Sequence, residues 1–463
     1  MNRGFLDAVI FFSNPSHNEA HPNLRGYSGG SGMPAIVNIK AREVHEFSTS
    51  TTARQTLIGR VCGAMVQIAL AIPFLTAGLA AQSQTLDVYH NFGAIPDGQT
   101  PEAGLLRDHA ENLLGTTEYG GELEKGTVFE ITSVGVESVL HSFGAGGDGV
   151  NPVAALAEDA DGNLYGTTLY GGTGKCTLGC GTVFKLTPAG EETVLHNFSA
   201  NIGSDGNSPS AGVILDSAGN LYGTTQEGGW GSCHGGCGTV YEVSSAGVEK
   251  VLWNFEGGTV GGWHPEGGLV MDGAGNLYGT TTFGGGGTGD GCGLVFKLSY
   301  NGTKWVESVI HRFLESASDG CEPVAALSLD SAGNLYGTTA LGGTNNYGTV
   351  FKVTPAGKET LLVNFDGTNG RLPQSALVQD AAGNFYGTTN FGPDTSGCGG
   401  LGCGTVFKIT PAGVESVYFA FQDSEEDGEH PLGVVLDAAG NLYGTTPVTM
   451  GNQYAGNVFQ IAP

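Results

Sequence analysis

The sequence has 463 residues with 45 Asp and Glu against 18 Lys and Arg, which gives a formal net charge of −27. So acidic a chain repels phosphate backbones, which argues against nucleic-acid binding. Glycine and proline are frequent, at 81 and 18 residues, but 40% hydrophobic residues in a regular repeat argue against disorder.

The first 82 residues lie outside the repeat. Residues 1–53 are polar and predict a disordered extension, or a start codon assigned too early, with Met33 as the alternative start. Residues 54–82 contain Arg54, Arg60 and then an uncharged run over residues 61–81, which is typical of a secretory signal peptide. The run is also long enough to cross a bilayer as an uncleaved signal anchor, the only membrane contact that we expect. Both alternatives export the remaining chain.

A sevenfold repeat occupies residues 84–463. Its copies are about 50 to 58 residues apart, and each contains four short strand-like segments: an apolar run after proline, NLYGTT, GTVFKLT and VLHNF. Four antiparallel strands in a unit of this length predict one blade of an all-β propeller. The copies of GNLYGTT, or a close variant, begin at Glu111, Gly162, Gly219, Gly275, Gly333, Gly383 and Gly440.

The turn between the first two segments has the pattern DxxGN in six units, as in residues 159–163. Asp caps such a turn and Gly adopts a positive φ, so the pattern predicts a tight hairpin. A structural cation such as calcium is the alternative, although the loop lacks a full set of oxygen ligands. We expect no other cofactor.

The count of segments predicts how the ring closes. The first three segments occur seven times, whereas the fourth follows only six of them, and its seventh copy stands before the first unit, at residues 88–92. We therefore predict seven four-stranded blades, with residues 86–92 as the outer strand of the last one. This pairing removes an open sheet edge.

The order of DxxGNLYGTT, GTVFKLTPxGxE and VLHNF resembles the bacterial GloVer repeat family, over roughly residues 85–463. The resemblance implies an exported protein with one of several sorting anchors, a choice-of-anchor tandem-repeat protein, and it implies no activity. The sequence departs from the family by ending on a repeat strand at Pro463, so residues 61–81 are the anchor candidate. A looser likeness to lyase and lactonase propellers rests on the blade pattern alone.

Eight of the nine cysteines lie between predicted strands, and in an exported chain they predict disulfides. Cys292 and Cys321 lie in loops on one face, so a bond between them would join two blades. Metal binding is the rival interpretation, because His234 lies beside one C-x₃-C pair. The pairs that share a loop are Cys176 with Cys180, Cys233 with Cys237, and Cys398 with Cys403.

The same face carries a DGxxP pattern, at Asp97, Asp148, Asp205, Asp319 and Asp427. A ring of acids near a propeller channel would attract cations or a basic partner. Asp-Gly is also an ordinary turn sequence exposed to water, and we favour that interpretation.

Four histidines, at 90, 141, 196 and 311, share a repeat position with Trp253, Val363 and Phe419. A position that accepts these residues is a packing position, so we predict no catalytic residue there. The recurrent tyrosines of NLYGTT predict packing between blades.

Unrepeated loop residues are the candidates for ligand binding. Exposed aromatic side chains beside His or a carboxylate suit a sugar ring or a peptide, whereas Glu322 and Asp427 suit acid–base chemistry only at the right separation. Glu429 is a further polar candidate. The predicted ligand-binding residues are Trp230, His234, Trp263, His264, Tyr347, Arg371 and His430.

These observations predict a monomeric, non-catalytic, exported protein that binds a glycan or a protein partner through loops on one face. Its predicted location is extracellular, periplasmic or at the cell surface. The alternative is an extracellular hydrolase or lyase acting on carbohydrate, and a third hypothesis is a structural array without a ligand. A deep pocket with convergent carboxylates or His would favour the enzyme. A shallow surface with exposed aromatic residues would favour the binding protein.

Overall fold

The computed structural model describes residues 84–199, 205–258, 261–286, 289–314, 316, 318–393, 397–424, 427–449 and 455–463. The predictions for residues 1–53 and 54–82 therefore lie outside the described residues. Within the described ranges, no helix is both long and apolar enough to cross a membrane.

Seven four-stranded antiparallel sheets form the blades, numbered 1 to 7 in chain order, each running from an inner strand to an outer strand. The inner strands are Leu106–Arg107, Ala157–Glu158, Ile214–Leu215, Val270–Met271, Ser328–Leu329, Val378–Gln379 and Val434–Leu436. The second strands are Leu113–Thr117, Leu164–Thr168, Leu221–Thr225, Leu277–Thr281, Leu335–Thr339, Phe385–Thr389 and Leu442–Thr446. The third strands are Thr127–Ile131, Thr182–Leu186, Thr239–Val243, Leu294–Tyr300, Thr349–Val353, Thr405–Ile409 and Asn457–Ala462. The outer strands are Glu137–Ser142, Glu192–Asn197, Glu249–Asn254, Trp305–Arg312, Glu359–Asn364, Glu415–Ala420 and, for blade 7, Thr85–Asn91. The fold is the predicted all-β, seven-bladed propeller.

In blades 1 to 5, a short two-stranded ribbon pairs the loop that enters the blade with the residues that follow its second strand. Single bridges, Arg371 with Phe391 and Glu429 with Val448, take that place in blades 6 and 7. One 3₁₀ turn, Cys398–Gly400, is the only helical element of the described residues. The ribbons pair Gly98–Gln99 with Tyr119–Gly120, Gly149–Val150 with Tyr170–Gly171, Gly206–Asn207 with Glu227–Gly228, Gly262–Trp263 with Phe283–Gly284, and Gly320–Cys321 with Leu341–Gly342.

The N-terminal strand closes the ring as predicted, with bounds one residue earlier than expected. Thr85–Asn91 pairs antiparallel with Asn457–Ala462, from Thr85 opposite Ala462 to Asn91 opposite Asn457. The Phe92 amide then donates to the Gly456 carbonyl at 2.9 Å. Blade 7 is therefore built from both ends of the repeat region, and its edge is paired.

The glycine of NLYGTT makes room for an aromatic ring. In blade 2, a Cβ on Gly166 would lie 2.6 Å from Cζ of Phe184, which is fully buried on the third strand. The same relation holds in blade 1 between Gly115 and Phe129. This glycine is thus required by packing between neighbouring strands rather than by a turn.

The two threonines of the motif tie strands and blades together. The last one bonds to the first threonine of the third strand, as in Thr168 Oγ1 to Thr182 Oγ1 at 2.8 Å. The other donates across to the next blade, as in Thr167 Oγ1 to the Ala211 carbonyl at 3.0 Å. Both side chains are buried, so these bonds satisfy polar groups that water does not reach.

The tyrosine of the motif reaches the DxxGN turn. Tyr165 packs in a hydrophobic cluster with Val213 and Leu221 of blade 3, which agrees with the predicted packing between blades. Its hydroxyl donates to Asp159 Oδ2 at 2.9 Å. Although burial opposes the effect, hydrogen bonds from Asn163 and the turn amides lower the pKa of Asp159. The predicted hairpin is therefore an internally bonded turn.

Candidate functional site

Four disulfides join the eight cysteines of the propeller, as predicted. Three close small loops, Cys176–Cys180, Cys233–Cys237 and Cys398–Cys403. The fourth, Cys292–Cys321, spans 29 residues and links blade 4 to the loop that enters blade 5. Four disulfides indicate an oxidising, extracellular type of environment.

The aspartates of the DGxxP loops do not behave as simple exposed turns. Asp205 and Asp319 are each only 7% exposed, so the expectation of a water-exposed turn is wrong for these two. The reason is a partner on the preceding outer strand, since the carboxylate of Asp205 lies 3.3 Å from His196 Nε2. The histidine ring also packs edge-on against Phe198, so the predicted packing role holds and a polar role is added.

The predicted ligand-binding residues fall into three separate places on the propeller. Tyr347 packs under the guanidinium of Arg371, whose Cζ is 4.9 Å from the ring centroid. In another junction, His430 Nδ1 donates to the Asn390 carbonyl at 2.7 Å. In both places the predicted residues already contact other residues of the protein. The remaining four residues, Trp230, His234, Trp263 and His264, lie together between blades 3 and 4.

Two adjacent cavities mark the junction of blades 3 and 4. The first, of about 530 Å³, is lined by Glu227, His234, Trp263, His264 and Asp290 among others. Trp263 is not a free aromatic surface, because it packs against Phe283 with ring centroids 4.6 Å apart.

The second cavity is a groove of about 470 Å³ with aromatic walls, here called the tryptophan groove. Its aromatic residues are Trp230, Trp253, Tyr300 and Trp305, and its polar residues are Lys250, Asn254, Glu256, Thr303 and Lys304. Trp230 is 61% exposed and Tyr300 is 54% exposed. Since Trp263 lines the neighbouring cavity, all four tryptophans of the chain lie at this one junction.

The predicted set omitted three aromatic residues of the tryptophan groove. Trp253 was assigned to packing because it shares the position of the repeated histidines. Tyr300 and Trp305 end and begin the two strands of a lengthened hairpin in blade 4, and their ring centroids are 5.7 Å apart. A signal was present, because SYNGTKW replaces the short turn that reads TPAG in three other units, TSVG in the first and SSAG in the third.

Several carboxyl groups with raised pKa values lie in the loops that enter the blades or directly after a second strand. Burial raises the pKa of Glu266 to about 7, with a smaller contribution from Glu322. Burial likewise raises the pKa of Glu102 to about 8, with Glu118 contributing. Glu322 thus lies close enough to Glu266 to disfavour the charged form of that carboxyl group.

A histidine stands next to one of these acids. His264 Nδ1 is 4.0 Å from Glu266 Oε1, and burial lowers the pKa of this histidine, against the effect of Glu227. His264 also lines the first cavity. His264, which lines that cavity, therefore contacts a carboxyl group that exchanges its proton near neutral pH.

The blades, their closure and their repeated motifs define a tandem-repeat β-propeller. The Gloeobacter/Verrucomicrobia repeat matches residues 78–292, 173–401 and 286–463. The chain belongs to this family.

Solved propellers are similar to this chain in fold. A virginiamycin B lyase from Staphylococcus aureus is 12% identical, with 81% of this chain and 99% of that chain covered and a TM-score of 0.52. A gluconolactonase from Xanthomonas campestris is 17% identical, with 68% and 90% covered and a TM-score of 0.38. PorZ of Porphyromonas gingivalis is 13% identical, with 80% and 46% covered and a TM-score of 0.46. The first of these similarities supports the propeller fold. No curated protein sequence matches the chain.

Proposed function

We propose that this protein is an exported, non-catalytic glycan-binding propeller whose binding surface is the tryptophan groove. The observation that carries the proposal is the concentration of all four tryptophans at the junction of blades 3 and 4. Propeller scaffolding does not require them, because other blades place His, Val or Phe at the position of Trp253. We therefore assign binding to the aromatic side chains that occur at this junction alone, and the scaffold to those that recur from blade to blade.

The chemistry of the groove suits a sugar chain. Partly exposed rings such as Trp230 and Tyr300 offer flat apolar faces to the C–H surface of a pyranose. Lys250, Lys304 and Glu256 line the same groove and supply hydrogen-bonding groups for hydroxyls. A groove with aromatic walls and a single carboxylate, Glu256, fits binding better than turnover, because glycoside hydrolysis commonly uses a pair of carboxyl groups.

The test is a glycan array probed with the full chain, followed by titration of the best ligand. Trp305→Ala and Trp230→Ala should each weaken binding at least tenfold, because each removes one wall of the groove. Tyr347→Ala is the matched control, since this loop aromatic lies at another junction and should leave binding unchanged. Saturable binding that survives both tryptophan changes would overturn the proposal. Binding of a protein alone would replace the glycan as ligand.

A carbohydrate hydrolase or lyase is the second candidate, and a specific pair of groups favours it. Glu266, with a pKa of about 7, stands 4.0 Å from His264 beside the first cavity. Such a pair is suited to donate and accept protons near neutral pH. Products released from an array-positive glycan, and lost in Glu266→Gln, would establish the enzyme and reject a purely binding role.

A further inference from the structure

A His–Asp–Glu cluster recurs at the outer rim between neighbouring blades. The histidine lies on the outer strand of one blade, the aspartate in the loop that follows, and the glutamate at the start of the next outer strand. In three junctions one ligand atom from each residue lies within 4.8 Å of the other two. These clusters are His90, Asp97, Glu137; His196, Asp205, Glu249; and His311, Asp319, Glu359.

In the cluster between blades 4 and 5, the side chains are spaced like the ligands of a metal ion rather than like a hydrogen-bonded triad. His311 Nε2 is 3.6 Å from Asp319 Oδ1 and 3.9 Å from Glu359 Oε2, both beyond hydrogen-bond distance. Two ligand atoms bound to a tetrahedral zinc ion at about 2.1 Å are about 3.4 Å apart. The observed separations are within about 0.5 Å of that spacing, so small side-chain shifts would complete the site.

Buried polar atoms of this cluster lack partners, which is an independent indication of a ligand. His311 Nε2 and Glu359 Oε1 are inaccessible to water and form no hydrogen bond with any described residue. A buried imidazole nitrogen or carboxylate oxygen without a partner costs free energy, and a bound cation would recover it. The equivalent Oε1 atom is in the same state in the other outer strands that begin with glutamate, with or without a cluster, so the unpartnered imidazole nitrogen of His311 is the observation specific to this junction.

Asp319 is already held in position. It accepts hydrogen bonds from the amides of Leu314 and Gly320, each at 2.8 Å. The disulfide between Cys292 and Cys321 fixes the same loop to blade 4. Little ordering would therefore be needed to bind an ion.

We propose that His311, Asp319 and Glu359 bind a divalent transition-metal ion of the zinc type and thereby join blades 4 and 5. One imidazole nitrogen and two carboxylate oxygens suit zinc better than calcium, which prefers six or more oxygen ligands. Water would take the fourth position. In the clusters at His90 and His196 the imidazole already lies at hydrogen-bond distance from the aspartate, 3.2 and 3.3 Å, so the proposal concerns the cluster at His311 alone. It does not depend on glycan binding.

The experiment measures zinc bound by the full chain after EDTA treatment and dialysis, by elemental analysis and isothermal titration. The key variant is His311→Phe, because the chain itself carries Phe419 at the equivalent position of blade 6 and the fold accepts that ring. The native chain should bind about one zinc ion at this cluster and gain thermal stability. His311→Phe should lose that ion and gain less.

Two further variants keep the result decisive. Val363→Phe alters the same position in a junction without the cluster and should leave zinc binding unchanged. Glu359→Gln preserves the side-chain volume, removes a ligand and should also lose one ion, whatever the stability of His311→Phe. Equal zinc binding by native chain, His311→Phe and Glu359→Gln would overturn the proposal. So would a melting temperature that zinc does not raise.

Discussion

Phe92, the residue after the N-terminal strand, packs edge-to-face on Phe129 of blade 1, with ring centroids 5.0 Å apart. The same contact links the phenylalanine after an outer strand to the third strand of the next blade elsewhere in the ring, as between Phe143 and Phe184. The N-terminal segment therefore closes the ring of blades through two contacts. It pairs with the third strand of blade 7, and it supplies the aromatic contact from blade 7 to blade 1.

Replacing Phe92 with alanine should lower the free energy of unfolding by about 3–5 kcal/mol, measured by chemical denaturation. The ring is 2% exposed, and its removal leaves a cavity where blades 7 and 1 meet. Asp87→Asn on the same strand is the control, because this exposed residue should change stability by less than about 0.5 kcal/mol. Equal stability of the two variants would mean that the ring does not close through this strand.

Gly166→Ala should destabilise the protein by about 1–3 kcal/mol, because the new methyl group would overlap Phe184. Gly273→Ala is the matched control. A Cβ at Gly273 meets nothing within 4 Å, and Ala381 occupies the equivalent turn position in another unit. Unfolding curves should separate the two variants clearly. Adding Phe184→Leu to Gly166→Ala should recover part of the loss if overlap is the cause.

The architecture could be predicted from the sequence because repetition and closure have local signatures. Seven copies of a four-segment pattern define the blades, and the displaced copy at residues 88–92 identifies the closing strand. The reason for the glycine in NLYGTT could not be read in the same way. Gly166 faces Phe184 only because the second and third strands pair in a particular register, with Gly166 opposite Phe184.

The candidate site was only partly predictable for a related reason. Trp230, His234, Trp263 and His264 were selected because they interrupt the repeat, and the structure does bring them to one junction. Trp253 occupies a repeated position and was therefore assigned to packing. The proposed binding groove includes a repeated scaffold position that carries a different side chain in this blade. A comparison of repeats treats such variation as tolerance of any packing residue.

Removing the long-range disulfide should cost more stability than removing a local one. Cys292 and Cys321 are 29 residues apart, whereas Cys176 and Cys180 are four apart. Loop-closure entropy predicts about 3.5 kcal/mol for the first bond and about 2 kcal/mol for the second. Paired Cys→Ser variants compared by denaturation under non-reducing conditions measure both values. The reverse order would mean that native-state contacts, rather than chain entropy, dominate.

The stability of the loop face should depend on pH through Glu266. Burial raises its pKa from 4.5 to about 7, so the folded state binds a proton more tightly than the unfolded state. The stabilising effect of that proton is complete below about pH 4.5 and is lost as the pH rises through 7. Glu266→Gln should therefore be more stable than the native chain at pH 8, by roughly 1–3 kcal/mol, and nearly equal to it at pH 5.

Glu191→Gln, which removes an exposed charge, is the control and should give the same small difference at both pH values. Denaturation curves at the two pH values measure the effect, and a Glu266→Gln variant without a pH-dependent gain would place the charged carboxylate in contact with water instead.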